Sequence, residues 1–195
     1  MPSLDKSLIF LICLLPLGMM GWALGQGELQ PNPVEALLHG SGDWALRLLL
    51  VTLAVTPLRR LSGWRRPLRW RRMLGLFSFF YALIHFAIYL VLDRELIWAE
   101  IWIDLTERPY VVLGFCALLV LSALAATSNR WSMARLGRNW RRLHRLVYLA
   151  ALSAILHYAW LVKADLREPM IYLLIFVVLM AARLPWPRLN SRRSP

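Results

Sequence analysis

The widest chemical scope in this chain belongs to its four histidines, His39, His85, His144 and His157, among 195 residues. Two of them bracket the stretch HRLVYLAALSAILH, residues 144–157, which is otherwise almost wholly apolar. A third, His85, sits inside an equally apolar run, FSFFYALIHFAIYLVL. A neutral imidazole offers a lone pair, an N–H donor and an exchangeable proton. In apolar surroundings it therefore serves as a metal ligand, a proton relay or a tie between helices. The two cysteines, Cys13 and Cys116, lie far apart in apolar runs and outside any CxxC or CxxCH pattern. They read as buried or lipid-facing thiols, and any haem would be held non-covalently.

Which chemistry the histidines perform depends on the elements that carry them. The chain is 59% hydrophobic and 17% charged, with ten tryptophans. A soluble domain of this length has too little interior to hide that much apolar surface, so a multi-span membrane protein is expected. Spanning the hydrocarbon takes ~20 mainly apolar residues. Six segments qualify: 7–25, 44–58, 73–92, 110–127, 143–162 and 170–184, the second and sixth being short. The first reads as an uncleaved helix rather than a signal peptide, because its apolar run is long and lacks an A-x-A end. The expected fold is an all-α bundle of six transmembrane helices, a single domain over 1–195.

Charge gives the orientation. Residues 59–72 hold seven arginines, 128–145 hold six, and the tail from Arg183 adds four. The loops between are acidic, with Glu28, Glu35 and Asp43 in 26–43, and Asp93, Glu95, Glu100, Asp104 and Glu107 in 93–108. The positive-inside bias then puts both termini in the cytoplasm. It also accounts for the net charge of +12 without nucleic acid, since the arginines, interleaved with Trp64, Trp70, Trp131 and Trp140, suit lipid headgroups.

On that topology His85 and His157 share a depth in the outer half, on two different helices. His144 lies ~20 Å further in, at 1.5 Å of rise per residue. Ionisable groups at such depths are functional by default. Facing imidazoles in an apolar bundle suit haem iron, with the porphyrin supplying the apolar area. Zinc would want four ligands, and no Asp, Glu or Cys shares that depth. A proton relay would need a carboxylate continuing the path. A straight helix turns His144 and His157 to different faces, which suits two stacked ligands better than one. Where a fourth histidine would complete such an array stands Arg72, which stays protonated and cannot ligate iron. With Arg71 it could pair with haem propionates or a flavin phosphate, or simply anchor headgroups.

The stretches WALRLLLVTLAVTPLRR (44–60), RRMLGLFSFFYALIH (71–85), ERPYVVLG (107–114), TSNRWSMARLGRNWRRLHRLVY (127–148) and HYAW (157–160) together resemble the MsrQ (YedZ) family. These are ferric-reductase-like transmembrane domains, related to the membrane part of NADPH oxidases. The resemblance implies a bacterial inner-membrane protein with b-type haem, one or two, with His85, His144 and His157 as iron ligands, and FMN as an associated cofactor. It implies electrons passed from the quinone pool or a cytoplasmic flavin reductase to MsrP. MsrP is a periplasmic molybdopterin enzyme that repairs methionine sulfoxide in envelope proteins. His39 is expected in the outer loop, on its surface or else in contact with a propionate of an outer haem. Two alternatives stand beside this reading: a stand-alone ferric or quinone reductase, and a non-redox membrane scaffold whose histidines only tie helices. The lack of internal repeats weighs against transport. Gly21 and Gly25 form a GxxxG pair expected to pack within the bundle.

Overall fold

In a computed structural model, residues 4–162 and 165–184 are described, and all regular structure among them is helical. Helix α1 spans Leu4–Gly25, α2 Pro33–Ser62, and α3 Arg71–Ile88, which runs on through a π-turn at Tyr89–Asp93. Then come α4 (Trp98–Glu107), α5 (Pro109–Ala126), α6 (Arg130–Leu136), α7 (Arg138–Leu143), α8 (Val147–Val162) and α9 (Arg167–Ala181). Five stretches are long and apolar enough to cross a membrane: α1, α2, Arg71–Asp93, α5 and Arg138–Val162. The expected sixth span, 170–184, falls on α9, a helix of 15 residues that is not among these five. At 1.5 Å per residue that is ~22 Å, short of the ~30 Å hydrocarbon layer.

Two loops expected from charge turn out to carry helix. The segment 26–43 was expected to be an outer loop, yet α2 already begins at Pro33. Its start is set by a capping residue that hydropathy ignores. Asn32 Oδ1 accepts from the Glu35 N–H at 3.2 Å, and proline occupies the first helical position. The acidic segment 93–108 contains α4. Its apolar face (Ile101, Leu105) turns inward while Trp98 and Trp102 stay exposed. On the basic side, Asn129 caps α6 by accepting from Ser132 N–H at 2.7 Å. Gly137, at φ +48°, then turns the chain into α7.

The bundle is built from two helix pairs, α2 along α3 and α5 along α8, with α9 against α8 and α1 on the outside of α2 and α3. One core cluster joins α2, α5, α8 and α9 through Leu49, Leu53, Leu121, Ala150, Ala151, Ile155 and Phe176. A second joins α1, α2 and α3 through Cys13, Leu48, Val55, Leu74, Phe77 and Tyr81. Cys13 is buried and Cys116 is exposed. Much of the remaining apolar surface faces outward, as a lipid-facing bundle requires. Among the described residues a Cβ on Gly21 or Gly25 would meet nothing within 4 Å, so the expected close packing at this GxxxG pair is not seen there. Helix α1 touches the bundle along its middle, through Cys13 and Leu17, and leaves that glycine face open.

Two prolines inside helices are accommodated by side chains from elsewhere in the chain. Pro57 has no N–H to give to the Leu53 carbonyl one turn back, and Arg183 donates to that carbonyl instead while also reaching the Tyr148 hydroxyl. Near Pro16, Tyr81 inserts its hydroxyl into the α1 ladder, donating to Cys13 O at 2.8 Å and accepting from Leu17 N–H at 3.1 Å. Ser78 likewise ties α3 to α2 by donating to Ala45 O at 2.8 Å.

Candidate functional site

The acidic end of the bundle encloses a cavity of about 780 Å³ between α2, α3, α5 and α8, with α4 across its mouth. That size is within the range of small-molecule and cofactor sites. Its depth is apolar, lined by Leu46, Leu49, Ala82, Leu118, Leu121 and Ala154. Its mouth carries Glu35, His39, Asp43, Arg94, Asp104 and Arg108.

Two imidazoles meet inside it. His85 comes from the last turn of α3 and His157 from near the end of α8. Their ring centroids are 6.2 Å apart and their planes cross at 86°. Each ring is fixed by its Nδ1 on a backbone carbonyl of a neighbouring helix: His85 to Leu38 O at 3.0 Å and His157 to Tyr110 O at 2.6 Å. With Nδ1–H donating to the carbonyl, Nε2 is the lone-pair nitrogen on each ring, as it is in many metal-ligating histidines. A histidine nitrogen sits about 2 Å from a transition metal, which puts each ring centroid about 3 Å away and two opposed centroids about 6 Å apart. The observed 6.2 Å separation is compatible with one metal held by both rings. Among the described residues no group of three His, Cys, Asp or Glu side chains could hold a metal ion. A porphyrin would supply further ligands itself, and the apolar lining of the cavity suits its faces.

The other residues singled out in the sequence lie elsewhere. His144 sits at the basic end, in a turn of 3₁₀ helix between α7 and α8. Its Nε2 lies 3.2 Å from Thr127 Oγ1 and its ring stacks on Trp140 at 4.0 Å. No second histidine faces it among the described residues. Arg71 and Arg72 open α3 at the same end. His39, expected on an outer loop, is instead on α2, because that helix starts earlier than hydropathy indicates. It lines the cavity mouth, its Nε2 3.8 Å from Glu35 Oε1.

A charge cluster that sequence reasoning missed roofs the cavity. The Asp104 carboxylate, 4% exposed, pairs with Arg94 Nε at 2.6 Å and Arg108 Nε at 3.2 Å, and accepts from the Tyr89 hydroxyl at 2.9 Å. Burial works against the Arg94 charge, but Asp93 and Asp104 outweigh it and hold the guanidinium above its ordinary pKa. The cluster ties the end of α3 to α4 and the start of α5.

A family model described as "Ferric reductase like transmembrane component" matches residues 41–155, more than half the chain and all of both helix pairs except the starts and ends. A methionine-sulfoxide reductase heme-binding subunit MsrQ of Xanthomonas axonopodis pv. citri is 46% identical, over 97% of this chain and 89% of that protein. The chain belongs to the MsrQ family. An MsrQ of Rhodospirillum rubrum is 47% identical over 98% of this chain and 92% of its own length, and one of Xanthomonas oryzae pv. oryzae is 46% identical. The ferric-reductase-like match begins at Ser41, one residue before Gly42 in α2, and ends at Ile155, two residues short of His157. MsrQ membership and the cavity geometry thus bear on the same region of the chain.

Proposed function

We propose that this MsrQ protein is a membrane electron-transfer subunit that holds one b-type haem between His85 and His157. The observation that carries this is the imidazole pair, each ring pinned through Nδ1 with Nε2 free, at a separation that suits one metal. The haem, when bound, supplies a one-electron carrier at the acidic end of the bundle. His85 and His157 hold it. Leu46, Leu49, Leu121 and Ala154 keep water from its faces, and burial together with the Nδ1 hydrogen bonds tunes its potential.

The chain is further proposed to cross the bacterial inner membrane six times, α9 included, with both termini in the cytoplasm. The family names support delivery of electrons to a methionine sulfoxide reductase, here assigned as periplasmic, molybdopterin-dependent MsrP. The quinone pool or a cytoplasmic flavin reductase is the donor. FMN, if carried, suits the basic end, where the arginines of 59–72 form no ion pair among the described residues and can meet a phosphate. His144, engaged by Thr127 and Trp140, is assigned a structural part in this reading.

The test is a dithionite-reduced minus oxidised absorption spectrum of the purified full chain, with His85→Ala, His157→Ala and His144→Ala beside it. A b-type signal lost in the first two variants and kept in the third is the expected result. A wild-type protein without haem, despite cofactor supply, would overturn the proposal. A signal halved in His144→Ala would establish a second haem.

A further inference from the structure

The two histidines are keyed to their partner helices in the same way. In each case Nδ1 meets a backbone carbonyl that lies 47 residues earlier in the chain, Leu38 for His85 and Tyr110 for His157. In each case the residue four positions after that carbonyl is a glycine, Gly42 or Gly114. That is the residue whose own N–H the carbonyl takes within the helix. A carbonyl oxygen has two lone pairs, so it can accept from both. The second donor can approach only if nothing projects from the helix one turn on.

The distances show how closely this is built. A Cβ on Gly114 would lie 2.8 Å from His157 Nδ1 and 2.9 Å from Cε1, and a Cβ on Gly42 would lie 3.1 Å from His85 Nδ1 and 3.2 Å from Cε1. Neither glycine has a φ in the left-handed region, so backbone freedom does not explain them. Both stand inside helices, where glycine costs ~1 kcal/mol relative to alanine. Close approach of an imidazole is what remains. Glycines elsewhere face no ring: a Cβ on Gly40 would press on the flexible end of Met20 at 3.2 Å, one on Gly75 meets only a Thr52 methyl at 3.5 Å, and one on Gly18 meets nothing within 4 Å.

We infer that Gly42 and Gly114 are positioning residues for the two axial histidines. Each leaves the space that lets an imidazole reach the carbonyl one turn earlier, which fixes the ring plane and commits Nε2 to the metal. The inference rests on the haem reading above. Its asymmetry follows from the distances. Gly114 is the tighter seat, so its substitution has the larger effect.

The test uses the full-length protein in detergent, with Gly42→Ala, Gly114→Ala and Gly75→Ala as the control. Haem affinity is measured by hemin titration of apoprotein, the midpoint potential by redox titration, and ring orientation by EPR of the ferric state. Loss of an outer-shell partner typically costs ~10–100-fold in metal affinity. Gly114→Ala is expected to lose affinity in that range and Gly42→Ala less, with Gly75→Ala unchanged. The potential should rise in both site variants, because a ligand without its Nδ1–H···O bond donates less charge to the iron. The EPR signal should shift as the crossed rings rotate.

Wild-type affinity, potential and EPR in both site variants would overturn the inference while leaving the haem proposal intact. Absence of haem from the wild type would overturn the proposal itself. Should the alanine variants fail to fold, His157→Gly supplies the decision. Added imidazole can donate to Tyr110 O and 1-methylimidazole cannot, so imidazole should restore the spectrum at a ~10-fold lower concentration. Equal rescue by the two would overturn the inference.

Discussion

Asp104 is a buried acid held from three sides. Its carboxylate is almost fully buried and holds two guanidiniums and a phenol, while Arg108 is about half exposed and Arg94 keeps Asp93 and Glu100 as further partners. Breaking a buried ion pair costs ~3–5 kcal/mol, and the exposure of Arg108 and the spare acids on Arg94 reduce that here. Asp104→Asn should therefore destabilise the protein by ~2 kcal/mol. It should also speed hydrogen exchange in α4, whose attachment to the ends of α3 and α5 it removes. An unchanged melting temperature with unchanged exchange in α4 would count against this role. In the sequence Asp104 reads as one more acidic loop residue, because nothing local indicates that Arg94 and Arg108 converge on it.

Helices α1 and α2 each carry an interior proline, and each break is met by a side chain distant in sequence. Arg183→Met should leave the Leu53 carbonyl without a donor and cost ~1–3 kcal/mol, the price of one unsatisfied buried acceptor. Pro57→Ala restores an N–H at the position that ordinarily serves Leu53 O. In the double variant the Arg183→Met penalty should shrink by more than half, as a double-mutant cycle in denaturant or detergent unfolding would read. Additive losses would show that Arg183 acts through Tyr148 alone. Tyr81→Phe is the parallel case on α1. It removes a hydroxyl shared by Cys13 O and Leu17 N–H and should loosen α1 by ~1 kcal/mol, measured as faster exchange around Pro16. An unaltered exchange pattern there would refute the assignment.

For the molecule as a whole, charge sorts the two ends. The ion pairs found among the described residues all involve acids of the acidic end, from Glu35 with His39 to Asp165 with Arg167. The arginines of 59–72 and 128–145 find none, which suits a surface that meets headgroups or solvent. Reporter fusions test the six-span proposal. A fluorescent protein at the C-terminus should fold and fluoresce, and alkaline phosphatase fused in 26–32 should be active. A C-terminal phosphatase that is active instead would mean that α9 does not cross. Five helices would then span, with the histidine cavity unchanged.

Hydropathy and charge in the sequence alone determine the all-helical membrane architecture, the acidic and basic ends, and the shared depth of His85 and His157. These follow from the bilayer acting on each segment separately, so no knowledge of neighbours is needed. The early start of α2 was also legible, through Asn32 and Pro33, but a hydropathy window averages over capping residues. Only the tertiary structure decided which histidines meet, because facing depends on helix rotation and packing as well as depth. It left His144 against Thr127 and Trp140, brought Arg183 to Pro57, and joined Arg94, Asp104 and Arg108. It also gave Gly42 and Gly114 their meaning, since a missing Cβ matters only when another helix's ring fills the space. The equal reach of each histidine to a carbonyl 47 residues back is written in the sequence, but carbonyls carry no side-chain letter. The repeat was therefore invisible until the two helix pairs were seen side by side.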